Sequence, residues 1–123
     1  MNAHVLVADD DPATLALVAD VLVRIGCTVI RVDDGDELLQ ALAANGSFDL
    51  LVTDISMPWM TGLQVAYSAR AAGLTTPVIV MTALPIDAAR IDAIGHTVLL
   101  RKPFGAKQLE AAVLHLLRVN HAA

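Results

Sequence analysis

"HVLVADDDPATL", residues 4–15, sets an apolar run directly against three acids and a proline. The run His4–Ala8 is rich in Val and Leu and too short for an ordinary helix, so it reads as a buried strand. Pro12 suits the first turn of a helix, and the Asp11 carboxylate before it can accept orphan backbone N–H groups as an N-cap. The stretch is therefore strand, turn, helix, with Asp9 and Asp10 left at the junction. Adjacent like charges repel, so acids at this strand end need something positive nearby.

The same alternation continues along the chain. Further short aliphatic runs occur at Thr28–Val32, Leu50–Thr53, Val78–Met81 and Val98–Leu100. Longer segments with helical spacing lie between them. The first helix runs from Pro12 to near Gly26, a natural C-cap. A second fits Asp36–Asn45 and is stopped by Gly46, with Asp33, Asp34 and Asp36 solvating and capping its start. "TGLQVAYSARAAG" gives a third, from about Gly62 to Ala72, closed by Gly73. A fourth, weaker helix fits Ile86–Ile94. The last, Ala106–Val119, carries Leu109, Ala112, Val113, Leu116 and Leu117 on one face. Strand and helix repeated five times predict the α/β class, with right-handed crossovers and a parallel sheet covered on both faces.

Composition agrees. The 123 residues are 56% apolar, mostly aliphatic, with only 3% aromatic. That suits one domain, residues 1–123, whose strands are buried on both faces. No apolar run approaches the roughly 20 residues of a membrane-spanning helix, and no basic-then-apolar leader opens the chain. The lone Cys27 lies in an apolar stretch and reads as core. These features favour the cytoplasm and no membrane. Thirteen acids against eight bases give −5, which argues against direct nucleic-acid binding.

In open parallel sheets, ligands bind outside the carboxyl ends of the strands. Asp9 and Asp10 follow the first strand, Asp54 the third, Thr82 the fourth and Lys102 the fifth. Three carboxylates, a hydroxyl and an ammonium thus fall at one edge. A hard divalent cation with oxygen ligands balances such a cluster, and Mg²⁺ also takes phosphate oxygens. A metal, a lysine and a hydroxyl around an exposed Asp suit phosphoryl transfer to that carboxylate, with Asp54 as nucleophile. Taken singly, the same residues have bland readings. Asp9 and Asp10 could be solvated turn residues, Thr82 a strand-end residue and Lys102 a surface charge. The four histidines show no metal-ligand spacing.

Four pieces together, "VADDDP", "VTDISMPWMTG", "VIVMTA" and "RKPF", resemble the receiver domain of two-component response regulators over essentially the whole chain. The resemblance implies a flavodoxin-like, doubly wound sheet of strand order 2-1-3-4-5. It implies that Asp54 accepts a phosphoryl group from a sensor histidine kinase or histidine phosphotransfer protein. Mg²⁺ would be held by Asp10, Asp54, the carbonyl of Ser56 and, through water, Asp9. Thr82 would turn toward the phosphoryl group and move the loop behind it. The Lys102–Pro103 bond would be cis, as X–Pro bonds can be. The protein would signal through a partner rather than act on an outside substrate, and could form a homodimer through its last helices and strand.

Two departures stand out. Leu99 occupies the position where the family often has a switching aromatic, so a signal would be read through aliphatic repacking or loop movement. The segment from Thr82 to Lys102 is short for the family, with "IGHTVLL" before the lysine, which predicts a short or irregular fourth helix. Leu84, two residues after Thr82, and Ser56, two after Asp54, stand where the family tunes dephosphorylation. Two rival readings follow. One is a degenerate receiver that binds partners without phosphorylation. The other is a small phosphatase with an Asp nucleophile, but "DIS" puts Ser56 where such enzymes place a second acid. Both a stand-alone receiver and one within a longer regulator or hybrid kinase fit the sequence.

Overall fold

Period-two alternation decides where each strand residue goes. In β1 (His4–Ala8), Val5 and Val7 join one apolar cluster while Leu6 and Ala8 join another. The same split recurs in β3 (Leu50–Asp54), where Leu50 and Val52 oppose Leu51, and in β4 (Val78–Thr82), where Ile79 and Met81 oppose Val78 and Val80. Successive side chains point to opposite faces of a pleated strand, so a strand apolar at every position needs a core on each side. The computed structural model, which describes residues 2–45, 48–55, 64, 66, 70, 75–92 and 94–121, has both cores.

β2 (Thr28–Val32) and β5 (Thr97–Arg101) complete a five-stranded parallel sheet of order β2-β1-β3-β4-β5. This is the doubly wound order expected. β1, β3 and β4 are internal and, His4 apart, buried along their length, whereas the edge strands β2 and β5 are only partly buried.

Four helices are assigned among the described residues. α1 (Pro12–Arg24) buries Val18, Ala19, Val21 and Leu22, a helical stripe. Asp11 caps it, accepting the Ala13 N–H at 3.3 Å. The helix stops at Arg24, two residues before the expected Gly26. Ile25 is the C-cap, and Gly26 takes φ 93° just beyond it, the left-handed conformation that closes helices. α2 (Gly35–Asn45) starts one residue earlier than Asp36, because the Asp34 side chain accepts the Glu37 N–H at 2.7 Å. α3 (Ala88–Asp92) is short, as the segment length predicted, and begins after Asp87, whose carboxylate accepts the Ala89 N–H. α4 (Ala106–His121) extends past Val119 and buries Leu109, Val113, Leu116 and Leu117.

α1 and α4 cover the first cluster together with Cys27, which is buried as expected. Burial pushes the Cys27 thiol pKa upward, against thiolate chemistry. Leu38 of α2 and Ile91 of α3 close the second cluster. The expected helix over 62–72 lies mostly outside the described residues; Gln64, Ala66 and Arg70 within it are helical, and Arg70 donates to the Gly95 carbonyl at 3.0 and 3.3 Å. No helix among the described residues is long and apolar enough to cross a membrane.

Candidate functional site

Strand register builds the site. Ala8 pairs with Thr53, so the next residues, Asp9 and Asp54, reach the carboxyl edge of the sheet side by side. Thr82 pairs with Arg101, so Lys102 follows at the same level. Asp9, Asp54 and Lys102 also continue the parity of Val7, Val52 and Leu100, all members of the α1–α4 cluster. Thr82 has the opposite parity.

The three meet. Lys102 Nζ lies 2.9 Å from Asp9 Oδ2 and 3.3 Å from Asp54 Oδ2. Asp9 is fully buried and Asp54 is 9% exposed. The other oxygen of Asp9 accepts the Asp11 N–H at 2.8 Å, so the carboxylate is held at both ends. Burial disfavours the Lys102 ammonium, but the hydrogen bond to Asp9 and the charges of Asp54 and Asp9 outweigh it. The net effect lifts its pKa above the ordinary lysine value. The ammonium thus stays charged between Asp9 at the end of the first strand and Asp54 at the end of the third.

Asp10 stands exposed at the same junction. Carboxylate oxygens of Asp9, Asp10 and Asp54 all lie within 4.8 Å of one another. Three anions against one ammonium leave the cluster net negative. An all-oxygen donor set with a deficit of positive charge fits a hard divalent cation such as Mg²⁺. A second acid group, Asp33, Asp34 and Glu37, is equally close-set. It is accounted for by helix capping, since Asp34 accepts from Glu37 N–H and Glu37 accepts from Asp33 N–H.

Thr82 is buried at the end of β4, and its hydroxyl oxygen accepts the Leu84 N–H at 2.9 Å. The backbone N–H of Lys102 donates to the Thr82 carbonyl at 2.7 Å. The Lys102–Pro103 peptide is cis. Asp11 is a cap: besides Ala13 N–H it accepts the Thr14 hydroxyl at 2.7 Å, and these bonds hold its pKa below the usual carboxylate value. Leu99, in the place of the switch aromatic, is half-buried and packs against the second cluster. Ser56, Met57, Pro58, Trp59, Met60 and Gly62 lie outside the described residues.

One participant was not anticipated. Arg101 extends its guanidinium over the loop after β4 and donates to the carbonyls of Leu84 at 3.3 Å and Ile86 at 2.9 Å. Its only sequence signal was position, an Arg immediately before Lys102. Beside Lys102, Thr14, Leu17, Ala83, Pro103 and Phe104 line a groove of about 350 Å³ that is mostly apolar.

A family model described as "Response regulator receiver domain" matches residues 5–114. The chain is 35% identical over 120 residues to the response regulator MprA of Mycobacterium ulcerans (strain Agy99), covering 96% of this chain and 51% of that one. It is 30% identical over 125 residues to the alkaline phosphatase synthesis transcriptional regulatory protein PhoP of Bacillus subtilis (strain 168), covering 100% of this chain and 52% of that one. The chain thus spans about half the length of these curated relatives. The receiver domain of the Francisella response regulator 1452 superposes with a TM-score of 0.87 at 30% identity, covering 96% of this chain and 98% of that one. The chemotaxis response regulator CheY4 of Vibrio cholerae superposes at 0.84 and 29% identity, covering 94% and 99%. Fold, strand-end residues and relatives converge: the chain belongs to the response regulator receiver domain family.

Proposed function

We propose that residues 1–123 act as one phosphoacceptor domain, with Asp54 as acceptor, and that phosphorylation changes the affinity of a partner protein. The observation that carries this reading is the Lys102 ammonium bridging Asp9 and Asp54 at 2.9 and 3.3 Å. Asp54 is the one of the two bridged carboxylates with solvent exposure. The phosphodonor is a phosphohistidine on a sensor kinase or phosphotransfer protein.

Asp9, Asp10 and Asp54 would hold Mg²⁺, together with the Ser56 carbonyl that the family resemblance supplies. When bound, the ion neutralises charge on the transferred phosphoryl oxygens. An Asp54 carboxylate oxygen attacks phosphorus, the P–N bond to the donor imidazole breaks, and its electron pair stays with the ring. Lys102 leaves the Asp54 oxygen and pairs with a phosphoryl oxygen while keeping its bond to Asp9. Thr82 gives up its bond with Leu84 and donates its hydroxyl to another phosphoryl oxygen, so the loop after β4 shifts. Leu99 repacks with the second cluster in place of a rotating ring. The apolar groove beside Lys102 offers the donor protein a surface next to Asp54. Hydrolysis of the acyl phosphate returns Asp54 to its free state, and no outside substrate turns over.

The test is intact mass after incubation with Mg²⁺ and a small phosphodonor, beside Asp54→Asn and a chelator control. Addition of one phosphoryl group, lost in both controls, is expected. No addition under any condition would leave a phosphorylation-independent binding module. Turnover of small phosphate esters would instead indicate a phosphatase.

A further inference from the structure

Resting on that phosphoacceptor reading, we propose that Arg101 is a positioning residue that holds the loop after β4 in its unswitched arrangement and so sets how readily the domain responds. Thr82 and Arg101 are register partners, and their side chains share the parity of Leu99 and Val80 on the second sheet face. The loop that leaves β4 crosses that face. Arg101 ties it at two points, through Nη1 to the Leu84 carbonyl at 3.3 Å and Nη2 to the Ile86 carbonyl at 2.9 Å. Just before the first of those points the Leu84 N–H is bound to Thr82 Oγ1 at 2.9 Å. The Ile86 N–H donates to the Leu84 carbonyl at 2.9 Å, closing the loop on itself.

The Thr82 side chain has the parity opposite to Asp54 and is bound to Leu84, so a turn toward a phosphoryl group on Asp54 would pull on a Leu84 backbone that Arg101 holds by its carbonyl. The guanidinium fork matters here, because its two N–H groups diverge to two carbonyls, which a point-charge ammonium does not reproduce. A contact made in only one of two states shifts the balance toward that state by its own strength. Charge-assisted hydrogen bonds at an exposed position change such a balance by roughly three- to tenfold. Arg101 is also a cation beside the site, so it has a second, opposite influence. As a charge alone it would favour an added anion, and its removal would weaken anion binding. The two roles therefore predict opposite signs.

Beryllofluoride, which adds to a carboxylate as a phosphoryl mimic, is titrated with Mg²⁺ into the wild-type protein, Arg101→Ala and Arg101→Lys, and amide exchange at Leu84 and Ile86 is followed without it. Arg101→Ala is expected to bind beryllofluoride about three- to tenfold more tightly and to exchange the Leu84 and Ile86 amides faster. Arg101→Lys, with charge but no fork, is expected to follow Arg101→Ala in both. Weaker or unchanged binding by Arg101→Ala, or wild-type behaviour of Arg101→Lys, overturns the proposal while the phosphoacceptor reading stands. A wild-type protein that takes up no beryllofluoride overturns that reading first and this one with it.

Discussion

Lys102 and Asp9, 93 residues apart in sequence, are joined by a 2.9 Å hydrogen bond at the carboxyl edge of the sheet. The bond closes β1 against the end of β5 across β3 and β4, and it gives a fully buried carboxylate its counter-charge. Stability and the charge balance of the site therefore depend on the same ammonium.

Replacing Lys102 by Met keeps the side-chain volume and removes the charge. Asp9 then keeps its bond from the Asp11 N–H but loses its charged donor. Leaving a buried acceptor short of a charged donor costs about 1–3 kcal/mol, measured by urea unfolding in the presence of a chelator. Added Mg²⁺ should recover part of the loss, because it supplies positive charge to the same oxygens. Equal stability of wild type and Lys102→Met would mean that the ammonium contributes nothing net.

Mg²⁺ alone should stabilise the wild-type protein. At tenfold excess over the dissociation constant, linkage gives about 1.4 kcal/mol, which raises the melting temperature by on the order of 5 °C. Asp10→Asn removes an exposed carboxylate from the cluster without touching the core, so it should fold normally and lose most of that shift. A full shift in the variant would exclude Asp10 as a ligand.

The raised pKa of Lys102 fixes the sign of an alkaline effect. A group whose folded pKa lies above its unfolded value contributes stability that is complete below the unfolded value, about 10.5 for lysine, and is lost as pH rises through the folded one. The stability difference between wild type and Lys102→Met, in chelator, should be constant from neutral pH to near 10 and shrink above it. A difference that grows with alkalinity would contradict the pairing.

Packing gives a contrast on two leucines. Leu117 of α4 is fully buried in the first cluster, and Leu117→Ala should cost about 2–5 kcal/mol. Leu17 of α1 is 42% exposed at the groove beside Lys102, and Leu17→Ala should change stability by no more than about 0.5 kcal/mol. Chemical denaturation of both variants checks the pair. If Leu17→Ala nonetheless slows phosphorylation by a donor protein but not by a small phosphodonor, the groove is the docking surface.

The sheet was legible because its information is local. Each aliphatic run ends in a polar residue, and in a parallel sheet those ends share one edge, so Asp9, Asp54, Thr82 and Lys102 could be grouped before any contact was known. Asp11 was legible as a cap because Pro12 follows it. Boundaries were less so. α2 begins at Gly35 because a side-chain bond from Asp34 recruits it, a detail that periodicity does not carry. Arg101 escaped entirely. Its reach depends on the path of residues 83–87, and "ALPID" has neither helical nor strand spacing to reveal that path. The engagement of the Thr82 hydroxyl with Leu84 was hidden for the same reason.

Asp9 comes from the first strand and Lys102 from the last, with only one further helix beyond it among the described residues. A ribosome delivers Asp9 before Lys102, with β2, β3, β4 and β5 between them. A nascent chain that has emerged only through β4 carries the Asp9 and Asp54 carboxylates with no lysine between them, and their repulsion works against closing that edge. The charge balance of that edge is thus withheld until β5 is in place.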